Sequence, residues 1–310
     1  MESSKINKVT YYDEELRQSE NWAKYLTTLG WTSVRTSSGI NIEHRKLGFL
    51  SIVKIQHPKP LTTQDLEEIE TICKKHKALF IKIEPSIGQD IKILEEKNYR
   101  KSHYPMLPPA TIYTDLTKTE EELWNAVSKS GKYAIRRAQR EGAKIEIYKN
   151  PSEEKLKIFN EVAQHTAKKQ KFYVNTLKDL IAKTEIFGDN AFLALSYTKE
   201  NQLAGGIYYL ANKNCVWFMH GGTSDIGRKG KEGHELFWKS FLYFKELGFE
   251  ILDLEGKDDD RFPTFTKNWG GFSHFKERFG GNIVSFPYPH IKPLRPILKL
   301  LQKVYGTLPL

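Results

Sequence analysis

Three sets of residues in this sequence have the types and the spacing to do chemistry. The first is a group of carboxylates at the ends of strand-like runs. Ala78-Leu79-Phe80-Ile81-Lys82-Ile83-Glu84 and Phe249-Glu250-Ile251-Leu252-Asp253-Leu254-Glu255 each follow a helix-period stretch, and each closes on a glutamate. The ligand crevice of an α/β fold opens at strand ends, so Glu84, Asp253 and Glu255 are candidates to accept a proton from a nucleophile. Capping a helix or pairing with a cation is the competing use of a carboxylate there. The second set is Lys129, Lys132, Arg136 and Arg140, which recur at three- and four-residue steps and so share one helix face. Ala134, Ile135 and Ala138 lie off that stripe, so the helix can pack on a body and present its cations outward, either to phosphates or simply to water. The third set is the loop 227–233, whose Arg228, Lys229 and Lys231 are interleaved with glycines ahead of a long helix. Amides and cations in such a loop can cradle phosphates; a surface turn is the alternative.

These groups need elements to hold them, and hydrophobic periodicity supplies a list. Strands are predicted over 40–43, 47–55, 79–84, 111–116, 144–148, 191–197, 203–210, 215–221 and 250–254. Helices are predicted over 13–29, 63–77, 88–97, 119–140 and 232–247. The mixture implies an α/β (α+β) architecture. After Glu84 comes a helix-like interval and then Asn98-Tyr99; after Glu255 a similar interval leads to Asn268-Trp269. That correspondence points to two related α/β domains by duplication, consistent with a length of 310 residues.

Composition narrows the functional classes. At 39% apolar residues, whole-chain disorder is excluded. Cys73 and Cys215 are the only cysteines, too few for a disulfide framework or a zinc site. The run Asp258-Asp259-Asp260 sends successive carboxylates in different directions, so no metal site is expected. The first residues lack the apolar core of a secretory signal and no window is apolar enough to span a bilayer, so a cytoplasmic protein is expected. Lys and Arg (48) exceed Asp and Glu (38), a net charge of +10, which favours phosphate-bearing partners such as nucleic acid or anionic lipid.

The segment Ser130-Gly131-Lys132-Tyr133-Ala134-Ile135-Arg136-Arg137-Ala138 resembles the Arg-Tyr-Ala-Ile-Arg-Arg-Ala signature of the FemABX peptidyltransferases. Trp217-Phe218-Met219-His220-Gly221-Gly222-Thr223-Ser224 is similar to that family's aromatic strand and small-residue turn. Phe275-Lys276-Glu277-Arg278-Phe279-Gly280-Gly281 and the opening Gln18-Ser19-Glu20-Asn21-Trp22 with Gly30-Trp31 also resemble family segments, in the same order. The resemblance implies two tandem GNAT-like acyltransferase domains with the first discontinuous: residues 1–148 plus 287–310, and 149–286. It implies transfer of an amino acid from aminoacyl-tRNA to an amine on the stem peptide of a peptidoglycan precursor, building interpeptide bridges. Aminoacyl-tRNA is then a co-substrate, and no cofactor is expected. The helical-hairpin arm of the staphylococcal members has no counterpart in the charge pattern here.

Aminolysis of an ester needs a neutral amine, an oxyanion stabiliser and a proton path. Lys276, a cation beside Phe275, can face the developing negative charge or the terminal tRNA phosphates, and Glu84, Asp253 or Glu255 can take the proton. By the resemblance, the Phe275-Lys276 pair sits in a positively lined tunnel for the aminoacylated tRNA end, with Phe275 available to stack on the terminal adenine. Trp217, Glu255 and Lys213 complete the expected substrate contacts, and Lys132, Arg136, Arg140, Arg228, Lys229 and Lys231 the contacts to tRNA phosphates. Leu26 stands where members using a nucleotide-linked precursor often carry lysine, and Lys213-Asn214 where they carry arginine, which favours a lipid-linked acceptor. The tail fits that: Lys292, Arg295, Lys299 and Lys303 alternate with apolar residues as in a helix that rests on an anionic membrane, or that closes the first domain. An acyl-coenzyme A-dependent GNAT enzyme and a non-catalytic RNA- or membrane-binding module are the alternative readings.

Overall fold

A computed structural model describes residues 13–170 and 174–305. A short 3-10 turn, Leu16–Gln18, precedes α1 (Glu20–Thr28), which starts where the Ser19 hydroxyl accepts the Trp22 amide at 3.1 Å. The predicted helix over 13–29 is thus broken at its cap. Then come β1 (Thr32–Arg35), β2 (Asn41–Leu47), β3 (Leu50–Gln56), α2 (Thr63–Lys75), β4 (Ala78–Glu84), α3 (Ile91–Glu96) and β5 (Arg100–Lys101). A capping box between Thr62 and Asp65 starts α2. Its buried stripe, Leu66, Ile69 and Cys73, packs on the inward residues Ile42, Val53, Ile55, Ile81 and Ile83.

The chain then crosses to a second sheet through β6 (Ala110–Asp115), α4 (Glu120–Ala126), α5 (Lys129–Arg140), β7 (Lys144–Lys149), α6 (Glu153–Gln170) and α7 (Leu177–Phe187). The predicted single helix over 119–140 is two helices, because Ser128 caps α5 by accepting the Gly131 amide and Val127 is extended. Gly131 fits because a Cβ there would lie 2.8 Å from Val127 Cγ1. Helices α6 and α7 have no counterpart among the predicted elements, although Leu156, Phe159, Ala163 and Ala167 of α6 are buried at three- and four-residue steps along one face.

The second sheet continues with β8 (Ala191–Tyr197), β9 (Leu203–Asn212), β10 (Cys215–Thr223), α8 (Asp225–Lys229), α9 (Glu232–Glu246), β11 (Ile251–Asp253), α10 (Gly270–Glu277) and β12 (Asn282–Ser285). The chain returns to the first sheet as β13 (His290–Pro293) and ends the described region in α11 (Pro296–Tyr305). Strand orders are β1-β2-β3-β4-β13-β5 and β12-β6-β11-β10-β9-β8-β7. Both β6 and β7 lie in the second sheet, so a division at residue 148 is corrected: β6 takes an inner place between β11 and β12, and its partners hold it with the second unit. Leu156, Phe159 and Leu180 cover one face of this sheet, and Ile135, Phe237, Phe241 and Phe244 the other. Burial on both faces explains why β8 reads as a nearly continuous apolar run.

Candidate active site

The second sheet opens in its middle. Strands β10 and β11 run parallel, but their register holds only for Cys215↔Ile251, Val216↔Leu252 and Trp217↔Asp253. Beyond that point β10 stays with β9 up to Thr223, with a bulge between Phe218 and His220, while the chain leaving β11 turns away through Glu255 and Gly256. Both have left-handed backbone, with φ of +45° and +74°, costly for Glu255 and natural for Gly256. Helix α10 crosses this gap. The Lys276 ammonium donates to the carbonyls of Glu255 and Gly256, the latter at 3.0 Å, and lies 4.7 and 4.6 Å from the ring centres of Phe218 and Phe272.

Lys276 is only 3% exposed. Burial pulls its pKa down to about 7, against the attraction of Glu255 and Asp253. It is therefore no surface lysine, but neither does it line an open tunnel: its ammonium is closed over by the two carbonyls. An ammonium has three N–H donors, and two are engaged. Asp253 Oδ1 accepts from the Thr111 hydroxyl and from the Glu255 amide, the latter at 2.8 Å. Burial first, and the Glu255 charge second, push Asp253 up to about 7.

The Glu255 carboxylate is held by Arg17, whose Nη2 lies 2.5 Å from it and whose Nη1 lies 2.8 Å from Glu15. Arg17 is buried, and burial drives Glu15 up to about 7 although Arg17 opposes the shift. Arg17, His57, Thr111, Asp253, Glu255 and Phe286 are among the residues around a small cavity of about 10 Å³. The His57 ring stacks on Phe286 with centroids 3.9 Å apart; burial, with Arg17 nearby, holds its pKa down at about 3, so it is neutral at physiological pH. On its other side His57 lines a wide cleft of about 990 Å³ whose wall also includes Glu15, Gln18, Arg35, Lys59 and Lys213. His57 and the Glu15–Arg17 pair thus stand between the cleft and Asp253. A second buried lysine, Lys183 of α7, donates to Asn175 Oδ1 at 2.7 Å and lies 3.5 Å from His220 Nε2; burial pulls it to about 7 as well.

The remaining predicted site residues scatter. Glu84 is buried at the end of β4, where it accepts the amides of Met106 and Leu107 at 2.5 and 2.9 Å. It fixes the crossover loop between the sheets, with one oxygen of the carboxylate engaged by these two amides. Trp217 is wholly buried in the core, not facing substrate. Phe275 is half-buried and packs against His234, Phe237 and Phe279 at centroid distances of 4.9, 5.2 and 5.3 Å, in edge-on and tilted contacts. Lys213 is exposed on the β9–β10 turn, at the wide cleft.

On α5, Arg136 and Arg140 are exposed and Lys132 half-buried; Lys132 and Arg136 lie 5.8 and 5.4 Å from the Trp124 ring centre. Arg228 and Lys229 are exposed at the end of α8, with Lys231 just beyond. In that loop the buried Glu232 carboxylate lies against Gly230, leaving no room for a Cβ there.

Sequence reasoning missed Arg17, Glu15, His57 and Lys183. Arg17 directly precedes the matched Gln18–Trp22 segment, but its partner Glu255 lies near the other end of the chain, and no local pattern announces such a pair.

The comparisons with known proteins bear on this arrangement. Residues 102–204 match the FemAB family. Lipid II:glycine glycyltransferase of Staphylococcus epidermidis is 24% identical over 376 aligned positions, covering 90% of this chain and 89% of that protein. The chain is similar to FemAB-family proteins in sequence. The enzyme of the same name from Staphylococcus haemolyticus is also 24% identical, over 192 residues; that match spans 53% of this chain and about half, 45%, of the relative. An alignment of 376 positions exceeds the 310 residues of this chain, so the S. epidermidis protein has stretches without a counterpart here. The crystal structure of FemX superposes with a TM-score of 0.78 at 16% identity, covering 93% of this chain and 94% of that one. A tandem GNAT protein from the clavulanic acid biosynthesis pathway gives 0.52 at 12% identity, covering 84% and 82%. The fold of this chain is two tandem GNAT-like domains with a discontinuous first domain.

Proposed function

We propose that this chain is an aminoacyltransferase that moves an amino acid from aminoacyl-tRNA to an amine on the stem peptide of a peptidoglycan precursor. The observation that carries this reading is the gap between β10 and β11, bridged by the ammonium of Lys276 above Asp253 and Glu255. The acceptor amine attacks the ester carbonyl, the new N–C bond forms, and the tetrahedral oxyanion takes an N–H of Lys276 once the ammonium is released from the Glu255 and Gly256 carbonyls that close over it. Asp253, whose pKa near neutrality lets it accept and release a proton, takes the amine proton and returns it to the departing ribose oxygen. Lys276 and Asp253 are the catalytic residues of this proposal. Arg17 and Thr111 position the carboxylates, and the wide cleft with Lys213 receives the acceptor.

Lys132, Arg136, Arg140, Arg228, Lys229 and Lys231 would bind the phosphates of the donor RNA. The relatives named lipid II:glycine glycyltransferase favour a lipid-linked acceptor, approached at the inner membrane face with the C-terminal segment in contact. The acyl-coenzyme A alternative is disfavoured by the buried Glu232, whose carboxylate lies beside Gly230 and would repel a pyrophosphate held by that loop.

Incubation with total aminoacyl-tRNA and lipid-linked precursor, followed by mass spectrometry, tests the proposal. A mass increase of one or more amino acid residues on the stem peptide is expected. No product with charged tRNA, together with a thermal shift on adding coenzyme A, would overturn it in favour of the acyl-coenzyme A enzyme.

A further inference from the structure

The first sheet has two ends, and only one of them faces the candidate active site. At that end β3 and β4 finish at Gln56 and Glu84. At the other end, the turn between β2 and β3 carries Leu47, Gly48 and Phe49, and the register Ser51↔Ala78 puts the start of β4, with the C-terminus of α2 before it, at the same edge. The antiparallel register Pro293↔Phe80 brings the end of β13, and with it α11, to that edge too.

Large apolar side chains are held out in water here. Phe49 is 80% exposed, Leu47 50%, Ile297 63% and Leu300 58%. Exposed cations accompany them: Arg45 and Lys46 on β2, Lys74, Lys75 and Lys77 around the end of α2, and Lys299 on α11. The nearby acidic residue of α2, Glu70, is already paired with Lys292 at 2.5 Å. A helix C-terminus alone would account for the lysines of α2, but not for a β-turn that presents leucine and phenylalanine to solvent.

We propose that this end of the first sheet is a docking surface for an anionic lipid bilayer, with the Leu47–Phe49 turn and the exposed face of α11 entering the headgroup region. Apolar side chains ringed by Lys and Arg match such an interface on both counts: the tips bury in the acyl boundary and the cations meet lipid phosphates. A second copy of the chain would bring a like-charged face to it, and an RNA duplex would use the cations but leave Leu47, Ile297 and Leu300 in water. Strands of seven residues rising about 3.3 Å each hold the active-site end of the sheet roughly 20 Å from this edge. A lipid-linked acceptor would reach up from the membrane across that distance. The inference deepens the proposed function by naming the surface that meets the membrane, and it rests on the reading of a lipid-linked acceptor.

The test uses vesicles without precursor or tRNA, so that docking and transfer can fail separately. Vesicles of phosphatidylglycerol with phosphatidylcholine are expected to sediment the full chain at low salt, and pure phosphatidylcholine vesicles to sediment little. Leu47→Ser with Phe49→Ser is expected to lower binding about tenfold while transfer to a water-soluble stem peptide stays unchanged. Cys73 and Cys215 are buried, so Phe49→Cys offers one accessible thiol for an environment-sensitive dye. Its emission should shift to the blue on adding anionic vesicles and be quenched by brominated lipid. Equal sedimentation with both vesicle types, an unshifted dye, or loss of tRNA rather than vesicle binding in the double variant would each overturn the proposal.

Discussion

Arg17 Nη2 lies 2.5 Å from the Glu255 carboxylate, and this ion pair ties the segment leading into the first sheet to the turn that follows β11 in the second. The backbone carbonyl of the same Glu255 accepts from Lys276. One glutamate thus links the opening segment of the chain to the lysine that bridges the gap in the second sheet, which is why its unfavourable φ of +45° persists.

Removing Arg17 should be costly, because Glu15 and Glu255 would then face each other without a cation. Breaking a buried pair by deleting one partner costs about 3 to 5 kcal/mol. Arg17→Leu is expected to lower the unfolding free energy by about 3 kcal/mol in urea titration, and Arg17→Leu with Glu255→Gln by less than the sum of the single changes. Additivity within about 0.5 kcal/mol would mean that the pair does not couple the two segments.

The pH dependence of transfer should be bell-shaped with its maximum near 7. Asp253, raised to about 7, must lose its proton to act as acceptor, so the rate climbs as pH rises through that value. Lys276, lowered to about 7, loses its charge in the same range, so the rate falls above it. Lys276→Met keeps the bulk of the side chain and is expected to fold but to lower kcat about 100-fold. Lys276→Arg stays charged at all working pH values and should lose the alkaline limb. An alkaline limb that survives in the arginine variant would belong to another group.

How much of this was legible in the sequence follows from the range of the interactions. The meander β8–β9–β10 and the strand β11 carry their own apolar runs and turns, and they fall within two residues of their predicted places. Helix α5 was read by its basic stripe and its buried Ala134, Ile135 and Ala138. The candidate site was only half visible: Asp253, Glu255 and Lys276 do meet, yet Glu84 holds the crossover loop, Trp217 lies in the core and Phe275 packs against other rings. The sequence marks that an aromatic is present but not which way it faces. Arg17 and His57 were invisible because their partners, Glu255 and Phe286, come together only when both sheets have formed.

The basic face of α5 is expected to carry donor RNA. Charge reversal at Arg136 and Arg140, both exposed, should weaken binding of tRNA and reduce the dependence of log affinity on log salt by about 0.7 to 0.9 per lost phosphate contact. Neither change should alter the melting temperature much, since neither arginine packs in the core. Filter binding over a salt series reads this directly. An unchanged slope would assign the RNA to the Arg228–Lys231 loop instead.

Close packing makes Gly222 intolerant of a side chain. A Cβ there would lie 2.8 Å from the backbone of Ala163 on α6, and backbone cannot swing aside. Gly222→Ala is expected to cost about 2 kcal/mol by overpacking, read as a lower urea midpoint with unchanged slope. A variant as stable as the parent would show that α6 can shift on β10.

Lys183 gives a stability prediction whose sign can be worked out. Its folded pKa is about 7, below the ordinary 10.5, because burial disfavours the ammonium and Arg17 adds to this, against Asp179 and Glu255. Between those two values the unfolded chain binds a proton that the folded chain has released, so stability rises with pH across the window, by up to about 1.4 kcal/mol per pH unit. Below about 7 both states are protonated, the slope vanishes, and the penalty of a buried charge is fully present. Lys183→Met removes this term and keeps the volume. The variant should therefore compare best with the parent at pH 6, and lose ground steadily as the pH is raised to 9. Lys276 contributes a slope of the same sign to both proteins and cancels in the comparison. Urea titrations of parent and variant at pH 6, 7.5 and 9 measure the difference. A gap that stays constant over that range would show that Lys183 keeps its charge in the fold, held by Asn175 and by the ring of Tyr25, 4.8 Å away.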